Sequence, residues 1–412
     1  MEKMKKRGIA GTLKRGALGF FHDISTPVAL MYYRKTLKIQ PNRYLFYSQP
    51  SFSDNAYDLY CYLLEAEPDA EFVWWIQRED QLPKGNYPRT RFVYATSYDH
   101  AGYTIPALKE ALQSRYLFFT HSSPLQNIGK SSGQIVVNLW HGCGYKDTTS
   151  RGASFYEQNR FDLALVPGKV FVKLKAGFWG CPEELVQPLG YPRYDRMLHP
   201  SKQGEAFLKR LHPENKKVLW LPTFRQSTRT RTPEMDIRYD YDLPLLSGKD
   251  QLHQLDEYCK EHGVDLYLKR HPLQKNYRDE KEPLGNIFFL TGEDLKNEGI
   301  SLYDLYPYSD ALISDYSSAA IDYLLLDKPL AFSLDDFEAY GASRGFTFSD
   351  PLSYMPGHHL YRYEDLLMFL KDIGENRDPY RNERKGIFDE VHNPAEGYCD
   401  RIWKKIKEIQ AE

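Results

Sequence analysis

The stretch Ala311–Phe332, ALISDYSSAAIDYLLLDKPLAF, joins two short apolar segments through a run of small and polar residues. ALIS predicts a buried strand, and KPLAF predicts the next strand. Between them, AAIDYLLLD predicts a helix with Ile321, Leu324 and Leu325 on one face. A strand, a helix and a second strand are the repeating unit of parallel sheets. The polar residues 315–318 therefore follow a strand end, where such sheets place their ligands.

The same alternation of strand and helix recurs in two series along the chain. Helical patterns such as residues 55–66, NAYDLYCYLLEA, lie between some of the strands. The predicted strands are residues 43–48, 71–77, 91–97, 115–121, 135–141 and 162–168 in the first series, and 217–223, 264–272, 286–292, 311–314 and 328–333 in the second. Two such series predict an α/β protein with two doubly wound parallel sheets that face each other across a ligand cleft.

Composition excludes several classes of protein. The chain has 412 residues, enough for two domains with full cores, and its 42% hydrophobic and 27% charged residues are typical of a soluble globular protein. A net charge of -2 gives no overall attraction to nucleic acid. The five cysteines are scattered without a C-x-x-C pair, which favours a reducing cytoplasm over disulfides or zinc. The sequence shows no cluster of metal ligands and no apolar run long enough to span a membrane, so we predict no metal, no cofactor and no membrane span.

The first 38 residues depart from this even charge balance, with nine basic residues against two acidic ones. Lys14 and Arg15 interrupt what would be the apolar region of a signal peptide. Apolar residues recur at helical spacing, and Ser25-Thr26-Pro27 predicts the start of a second helix. A basic amphipathic segment of this kind fits an anionic membrane surface. The alternative is a disordered basic tail followed by a helix packed on the protein body.

Histidines, basic residues and hydroxyls follow several of the predicted strands. Together they indicate an anionic ligand, most simply a phosphate, held partly by the free N–H groups of the helix that begins near Ser318. Simple N-capping by a serine is the alternative for that helix. No G-x-G-x-x-G follows a strand, which disfavours a dinucleotide oxidoreductase. The strand-end residues are His121, His141, Gly142, Lys146, Thr223, Arg225, Arg270, His271, Asp315, Ser317 and Ser318.

Five ordered motifs resemble one family, the CDP-glycerol glycerophosphotransferases of teichoic acid synthesis, which have a GT-B fold. They are NLWHGCGYK at 138–146, PLGYPRYDRML at 188–198, VLWLPTFR at 218–225, LYLKRHP at 266–272 and ISDYSSAAIDYLLLDKPLAF at 313–332. The chain departs from the family at Cys143 and Gly144, where threonine and proline are more usual. This departure affects the details of acceptor binding and not the phosphoryl transfer that the motifs imply.

The resemblance implies a division of labour along the chain. Residues 1–38 would associate with the membrane, and residues 39–198 would form a Rossmann-like acceptor domain. Residues 199–385 would form a second Rossmann-like domain that binds CDP-glycerol or CDP-ribitol. Residues 386–412 would form a helix that crosses back to the first domain, with Ile402, Trp403 and Ile406 buried. The implied acceptor is a saccharide linked to a polyprenyl diphosphate, which places the protein peripherally on the cytoplasmic face of the plasma membrane.

The implied reaction is transfer of a polyol phosphate to an acceptor hydroxyl with release of CMP. Such a transfer requires an oriented nucleophile and relief of the negative charge on the pyrophosphate. His141 would be the general base, because imidazole titrates near working pH; a structural histidine is the alternative. His271, backed by Arg270, would be the second catalytic residue, which contacts the pyrophosphate and stabilises the leaving CMP; a polar strand end before a proline is the alternative. The other expected donor contacts are Thr223, Arg225, Asp315, Ser317, Ser318 and Asp322, and the acceptor contacts are His121, Gly142 and Lys146. Asp322 would point at the glycerol or ribose hydroxyls, or would equally be only a partner of the helix dipole.

Two other classes of function remain open from the sequence. A GT-B glycosyltransferase would use a nucleotide sugar and release a nucleoside diphosphate. A non-catalytic membrane-bound scaffold would bind a CDP-alcohol and release no CMP. The presence of both His141 and His271 argues against the scaffold. The motifs do not distinguish glycerol phosphate from ribitol phosphate. The short form of the chain favours priming or a short product over long polymerisation.

Overall fold

A computed structural model describes residues 28–96, 103–126, 128–147, 154–222, 243–269 and 284–411. Within these residues the strands form two separate sheets, of seven and six strands. Every pair of neighbouring strands in either sheet is parallel. The prediction of two doubly wound parallel sheets is therefore confirmed.

The first sheet has the strand order β3-β2-β1-β4-β5-β6-β7. Its strands are β1 (Gln40–Tyr47), β2 (Glu71–Ile76), β3 (Thr90–Tyr94), β4 (Ser114–Phe119), β5 (Ile135–Asn138), β6 (Leu163–Leu165) and β7 (Val186–Gln187). Strands β4 and β5 are neighbours, with Phe119 opposite Asn138. The chain segments that carry His121 and His141 therefore leave the sheet side by side, at its carboxyl edge.

The second sheet has the strand order β10-β9-β8-β11-β12-β13. Its strands are β8 (Lys216–Trp220), β9 (Val264–Lys269), β10 (Ile287–Leu290), β11 (Ala311–Ser314), β12 (Leu330–Ser333) and β13 (His358–Leu360). Strand β11 lies between β8 and β12, so residues 315–318 leave the middle of the sheet. All four residues of β11 are buried, as an uninterrupted apolar strand requires.

Helices connect the strands. They are α1 (Asp54–Ala66), α2 (Ile105–Gln113), α3 (Phe155–Asn159), α4 (Val170–Trp179), α5 (Arg193–Leu198), α6 (Lys202–Leu208), α7 (Lys249–Glu261), α8 (Gly292–Asn297), α9 (Leu302–Leu305), α10 (Ser318–Leu324), α11 (Phe337–Arg344), α12 (Tyr363–Gly374), α13 (Arg381–Val391) and α14 (Tyr398–Ala411). In α10, Ile321 and Leu324 are buried as predicted, but the helix ends before Leu325, which is partly exposed.

The last helix returns to the first sheet. The indole Nε1 of Trp403 donates a hydrogen bond to Glu67 at 2.6 Å, and its ring lies 5.7 Å from that of Tyr44 in β1. Ile402, Trp403 and Ile406 are buried, which confirms the predicted inner face of α14. Helix α5, which precedes the second sheet, contacts both α1 of the first half and α9 of the second half.

The eleven predicted strands are all present, with ends shifted by a few residues. Strands β7 and β13 were not predicted, because two and three residues are too few to show a periodic pattern. Residues 28–36 are helical, as predicted for the segment after Pro27, whereas residues 1–27 lie outside the described residues. The division of the chain at residues 38, 198 and 385 stays a prediction. In the part of the chain that the structure describes, no helix is long and apolar enough to cross a membrane.

Candidate active site

The loop that carries His141 begins directly after β5 and is fixed by the first helix. The side-chain amide of Asn55 in α1 donates to the carbonyl oxygens of Leu139 and Trp140, at 3.2 and 2.9 Å. Trp140 has a φ of +52° and Gly142 a φ of +141°, so the chain turns sharply on either side of His141. The turn presents the histidine ring beyond the carboxyl edge of the sheet.

The His141 ring is held in one orientation and one tautomer. Its Nδ1–H donates to the carbonyl oxygen of Thr120 at 3.1 Å, so the neutral ring keeps the lone pair on Nε2. No other hydrogen bond to this ring is formed by the described residues. The rings of His121 and Trp140 pack against it, each with a centroid separation of 4.1 Å. Nε2 of His141 is therefore free to accept a proton.

Burial of the imidazole lowers the pKa of His141 to about 3. Positive charge on His121, Lys175 and Arg193 acts in the same direction, whereas the hydrogen bond to the carbonyl oxygen opposes it. Burial also lowers the pKa of His121. Because both imidazoles are uncharged near neutral pH, the pair can stack without repulsion.

A buried lysine lies behind this stack. The ammonium of Lys175, in α4, sits 5.3 Å from the centroid of the Trp140 ring and 4.8 Å from that of Phe178. Only 5% of the residue is exposed, and among the described residues it makes no hydrogen bond or ion pair. Burial lowers the pKa of Lys175 as well. Because burial disfavours the charged form, an anion bound beside His141 would stabilise the Lys175 ammonium.

The start of α10 forms the opposite wall. The hydroxyl oxygen of Ser317 accepts a hydrogen bond from the amide of Ala319 at 3.3 Å, so this serine caps the helix. The carboxylate of Asp315, which is fully buried, accepts from the amide of Ser317 at 3.2 Å. Asp315 and Ser317 thus shape the turn. Ser318, at the first position of the helix, is partly exposed.

Two glycines, Gly142 and Gly144, let the walls come together. A Cβ atom on Gly142 would lie 2.5 Å from Oγ of Ser318, and the amide of Tyr145 donates to the carbonyl oxygen of Tyr316 at 3.2 Å. Farther along, the backbone of Lys146 pairs with Phe346, and its carbonyl oxygen accepts from the Thr347 hydroxyl at 2.7 Å. The structure therefore brings His121, His141, Gly142 and Lys146 of the first half close to Ser317 and Ser318 of the second. Asp315, predicted as a donor contact, is instead fully buried beneath the turn.

Asp322 occupies a different place from the one predicted. It is fully buried, and its two carboxylate oxygens accept from Arg193 at 2.7 Å and from the Tyr194 hydroxyl at 2.8 Å. A carboxylate with no exposed surface has no oxygen to offer a donor hydroxyl. Arg193 lies within the motif at 188–198, but no local pattern predicted a role for it, and none predicted that Lys175 would be buried.

Four predicted donor contacts, Thr223, Arg225, Arg270 and His271, lie outside the described residues. Within the described residues, no group of three or more His, Cys, Asp or Glu side chains is arranged to hold a metal ion. The structure shows a buried imidazole that is held through Nδ1 in the loop after β5, and this loop meets the beginning of α10 where Gly142 contacts Ser318.

Solved structures of wall teichoic acid polymerase TagF have the same fold. One TagF variant aligns with a TM-score of 0.72 at 19% identity, over 97% of this chain and 99% of that chain. A TagF variant soaked with CDPG aligns with a TM-score of 0.71 at 18% identity, over 98% and 100% of the two chains. This likeness shows that the fold is GT-B.

Sequence comparison points in the same direction. A teichoic acid glycerol-phosphate transferase of Staphylococcus aureus is 25% identical over 90% of this chain and 95% of its own length. A teichoic acid ribitol-phosphate primase of Bacillus spizizenii is 30% identical over 57% of this chain and 60% of its own length.

The profile of the CDP-Glycerol:Poly(glycerophosphate) glycerophosphotransferase family matches residues 29–406. This match covers both sheets, the site between them and most of the C-terminal helix. It confirms the resemblance seen in the five motifs. The chain belongs to the CDP-glycerol:poly(glycerophosphate) glycerophosphotransferase family.

Proposed function

We propose that this protein transfers glycerol phosphate or ribitol phosphate from a CDP-alcohol to a hydroxyl of a polyprenyl-diphosphate-linked saccharide or a growing teichoic acid or capsular polymer. The observation that carries the proposal is a contact between the two halves: the loop of His141, whose Nε2 is free, meets the start of α10 at Gly142 and Ser318. Proton acceptance on one side and phosphate binding on the other are the two functions that such a transfer requires.

In the proposed step, the acceptor hydroxyl loses its proton to Nε2 of His141 as its oxygen attacks the phosphorus that carries the polyol. A new oxygen–phosphorus bond forms, and the bond from that phosphorus to the bridging oxygen of the pyrophosphate breaks. The electron pair leaves with CMP. Because burial lowers the pKa of His141, the imidazole is unprotonated near neutral pH and can accept this proton. The negative charge of bound substrates then stabilises the imidazolium that forms.

Phosphate binding is assigned to the start of α10. Ser317 and Ser318 offer hydroxyl donors there, and Lys175, when protonated, adds positive charge from the other wall. Asp315 supports this turn from beneath. The proposal retains the contacts that lie outside the described residues, which are Thr223, Arg225, Arg270 and His271. On the acceptor side it retains His121, Gly142 and Lys146.

We also propose that the protein works at the cytoplasmic face of an anionic membrane. The helical residues 28–36 expose an apolar face of Val28, Met31 and Tyr32. Arg34 ties this helix to the protein body by donating to the carbonyl oxygen of Gly129 at 2.7 Å. The exposed apolar face and the basic charge before it match an interfacial helix. Such attachment would bring the cleft to a lipid-linked acceptor.

The test is to incubate the full chain with CDP-glycerol or CDP-ribitol and a short-chain lipid-diphosphate disaccharide. We expect release of CMP together with an acceptor whose mass increases by one or more polyol phosphate units. The number of units added separates priming from polymerisation. Release of a nucleoside diphosphate from a nucleotide sugar would instead show a glycosyltransferase. Binding of both CDP-alcohols without CMP release from any lipid acceptor would show a scaffold.

A further inference from the structure

One arginine connects the two walls of the site. Arg193, the first residue of α5, is completely buried. Its Nη1 donates to the carboxylate of Asp54 at 2.7 Å and to the carbonyl oxygen of His141 at 3.1 Å. Its Nη2 donates to the carboxylate of Asp322 at 2.7 Å. A single planar group thus reaches α1, the His141 loop and α10.

The geometry of these contacts fixes the position of the His141 loop relative to α1 and α10. A guanidinium offers its donors in a rigid plane, so its partners can shift only together. The plane is itself held between the rings of Tyr191 and Tyr303, whose centroids lie 4.7 and 4.8 Å from the central carbon. Asp322 belongs to the same short helix as Ser318. The distance from the His141 backbone to the start of α10 is therefore set through this group.

We propose that Arg193 is a positioning residue for the transfer. It holds the His141 loop at a fixed distance from the start of α10, which binds phosphate. The proposal rests on the proposed function, in which His141 is the base and α10 binds phosphate. In this role, Asp322 holds the Arg193 guanidinium to α10, which belongs to the half of the molecule that contains the second sheet. This role replaces the contact with a donor hydroxyl that the sequence predicted for Asp322.

The chain offers a matched control on the same helix. Arg196, one turn after Arg193, also joins the two halves: it pairs with Asp58 of α1 at 2.5 Å and with Asp304 of α9 at 3.4 Å. Its contacts in the described residues include neither His141 nor α10. A variant of Arg196 therefore weakens the interface between the halves. It leaves unchanged the position of the His141 loop relative to α10, which Arg193 fixes.

The experiment compares Arg193→Lys, Asp322→Asn and Arg196→Lys in the full chain. Lysine keeps the charge but loses the planar fork, so the His141 loop should move relative to α10. A misplacement of about 1 Å can cost about 10²-fold in rate. We expect Arg193→Lys and Asp322→Asn to lower kcat by about 10- to 100-fold. Their dissociation constant for CDP-glycerol, measured by calorimetry without acceptor, should not change.

A second readout does not depend on turnover. The ring resonances of His141, followed by NMR of histidine-labelled protein and assigned with His141→Gln, should shift in Arg193→Lys and Asp322→Asn and stay in place in Arg196→Lys. If Arg193→Lys does not fold, Asp322→Asn breaks the same pair and decides the question.

Equal losses of kcat in the Arg193 and Arg196 variants, or an unmoved His141 resonance, would overturn the positioning role. Weaker CDP-glycerol binding in Asp322→Asn would return Asp322 to the donor contacts and overturn it as well. If the wild-type protein releases no CMP with any acceptor, the proposed function fails instead. The NMR comparison then still decides whether Arg193 sets the position of His141.

Discussion

A Cβ atom on Gly144 would lie 2.8 Å from the backbone nitrogen of Ser318. It would also lie 3.0 Å from the carbonyl oxygen of Tyr316. Both neighbours are backbone atoms, so the contact cannot be relieved by turning a side chain. The loop after β5 and the start of α10 therefore meet where only a hydrogen atom fits, and this contact sets the width of the cleft.

The first prediction follows from this contact. Gly144→Ala should push the His141 loop away from α10, lower turnover by at least about tenfold and destabilise the fold by about 1–3 kcal/mol. CMP release and urea unfolding measure the two effects. Gly386→Ala is the control, because a Cβ there meets nothing within 4 Å. Normal turnover and stability in Gly144→Ala would show that the walls need not meet so closely.

The second prediction concerns the base. His141→Gln should lower turnover by about 10²- to 10⁴-fold, the usual contribution of a general base. The affinity for CDP-glycerol should remain, because His141 lies on the acceptor side of the cleft. Steady-state CMP release and calorimetry give the two values, with the exposed His199→Gln as the control. Near wild-type turnover at saturating substrates would remove His141 from the mechanism.

The third prediction concerns phosphate binding. Replacing Ser317 and Ser318 together by alanine should weaken CDP-glycerol binding by about 1–3 kcal/mol, through lost hydrogen bonds to a charged group. Thr291→Ala removes the N-cap of α8 and controls for the loss of a helix cap. Calorimetry on folded variants makes the comparison. If the serine variant binds as tightly as the Thr291 variant, the serines only cap the helix.

The fourth prediction is a dependence of stability on acid. The pKa of His141 is about 3 in the folded protein and about 6.5 in an unfolded chain. Between these values the unfolded chain binds more protons, so stability falls as the pH drops below about 6.5. His141→Gln should flatten the pH dependence of the free energy of unfolding by up to about 1.4 kcal/mol per pH unit.

Urea unfolding at about pH 5 and about pH 7.5 measures this effect as the difference between wild type and variant. Burial also lowers the pKa of His392 to about 4, so part of the acid sensitivity should remain in His141→Gln. The His199→Gln control should behave like the wild type. An unchanged pH dependence in His141→Gln would mean that this imidazole titrates normally in the folded protein.

The fifth prediction concerns membrane attachment. Changing Val28, Met31 and Tyr32 together to aspartate should reduce sedimentation with anionic vesicles, because the apolar face loses its affinity for the interface and the added charges are repelled. Transfer to a soluble acceptor analogue should persist. Leu211→Asp, on an equally exposed leucine elsewhere, is the control. Undiminished sedimentation would place the membrane contact in another segment.

The sequence by itself determined the parts that depend on local pattern. Strand β11, helix α10 and strand β12 follow from apolar runs and helical spacing within 22 residues. The positions of His141 and Ser318 follow too, because parallel strands place their carboxyl ends at one edge of a sheet. Five motifs in order then identified the family.

Only the tertiary structure decided how distant residues are paired. Arg193 and Asp322 are 129 positions apart, and nothing in either local pattern links them. Lys175 lies in an ordinary amphipathic helix, and its burial against Trp140 depends on where α4 docks. The contact of Gly144 with Ser318 likewise exists only once the two sheets face each other. Local periodicity fixes which faces are buried, whereas partners, distances and pKa shifts arise from the packing of elements far apart in the chain.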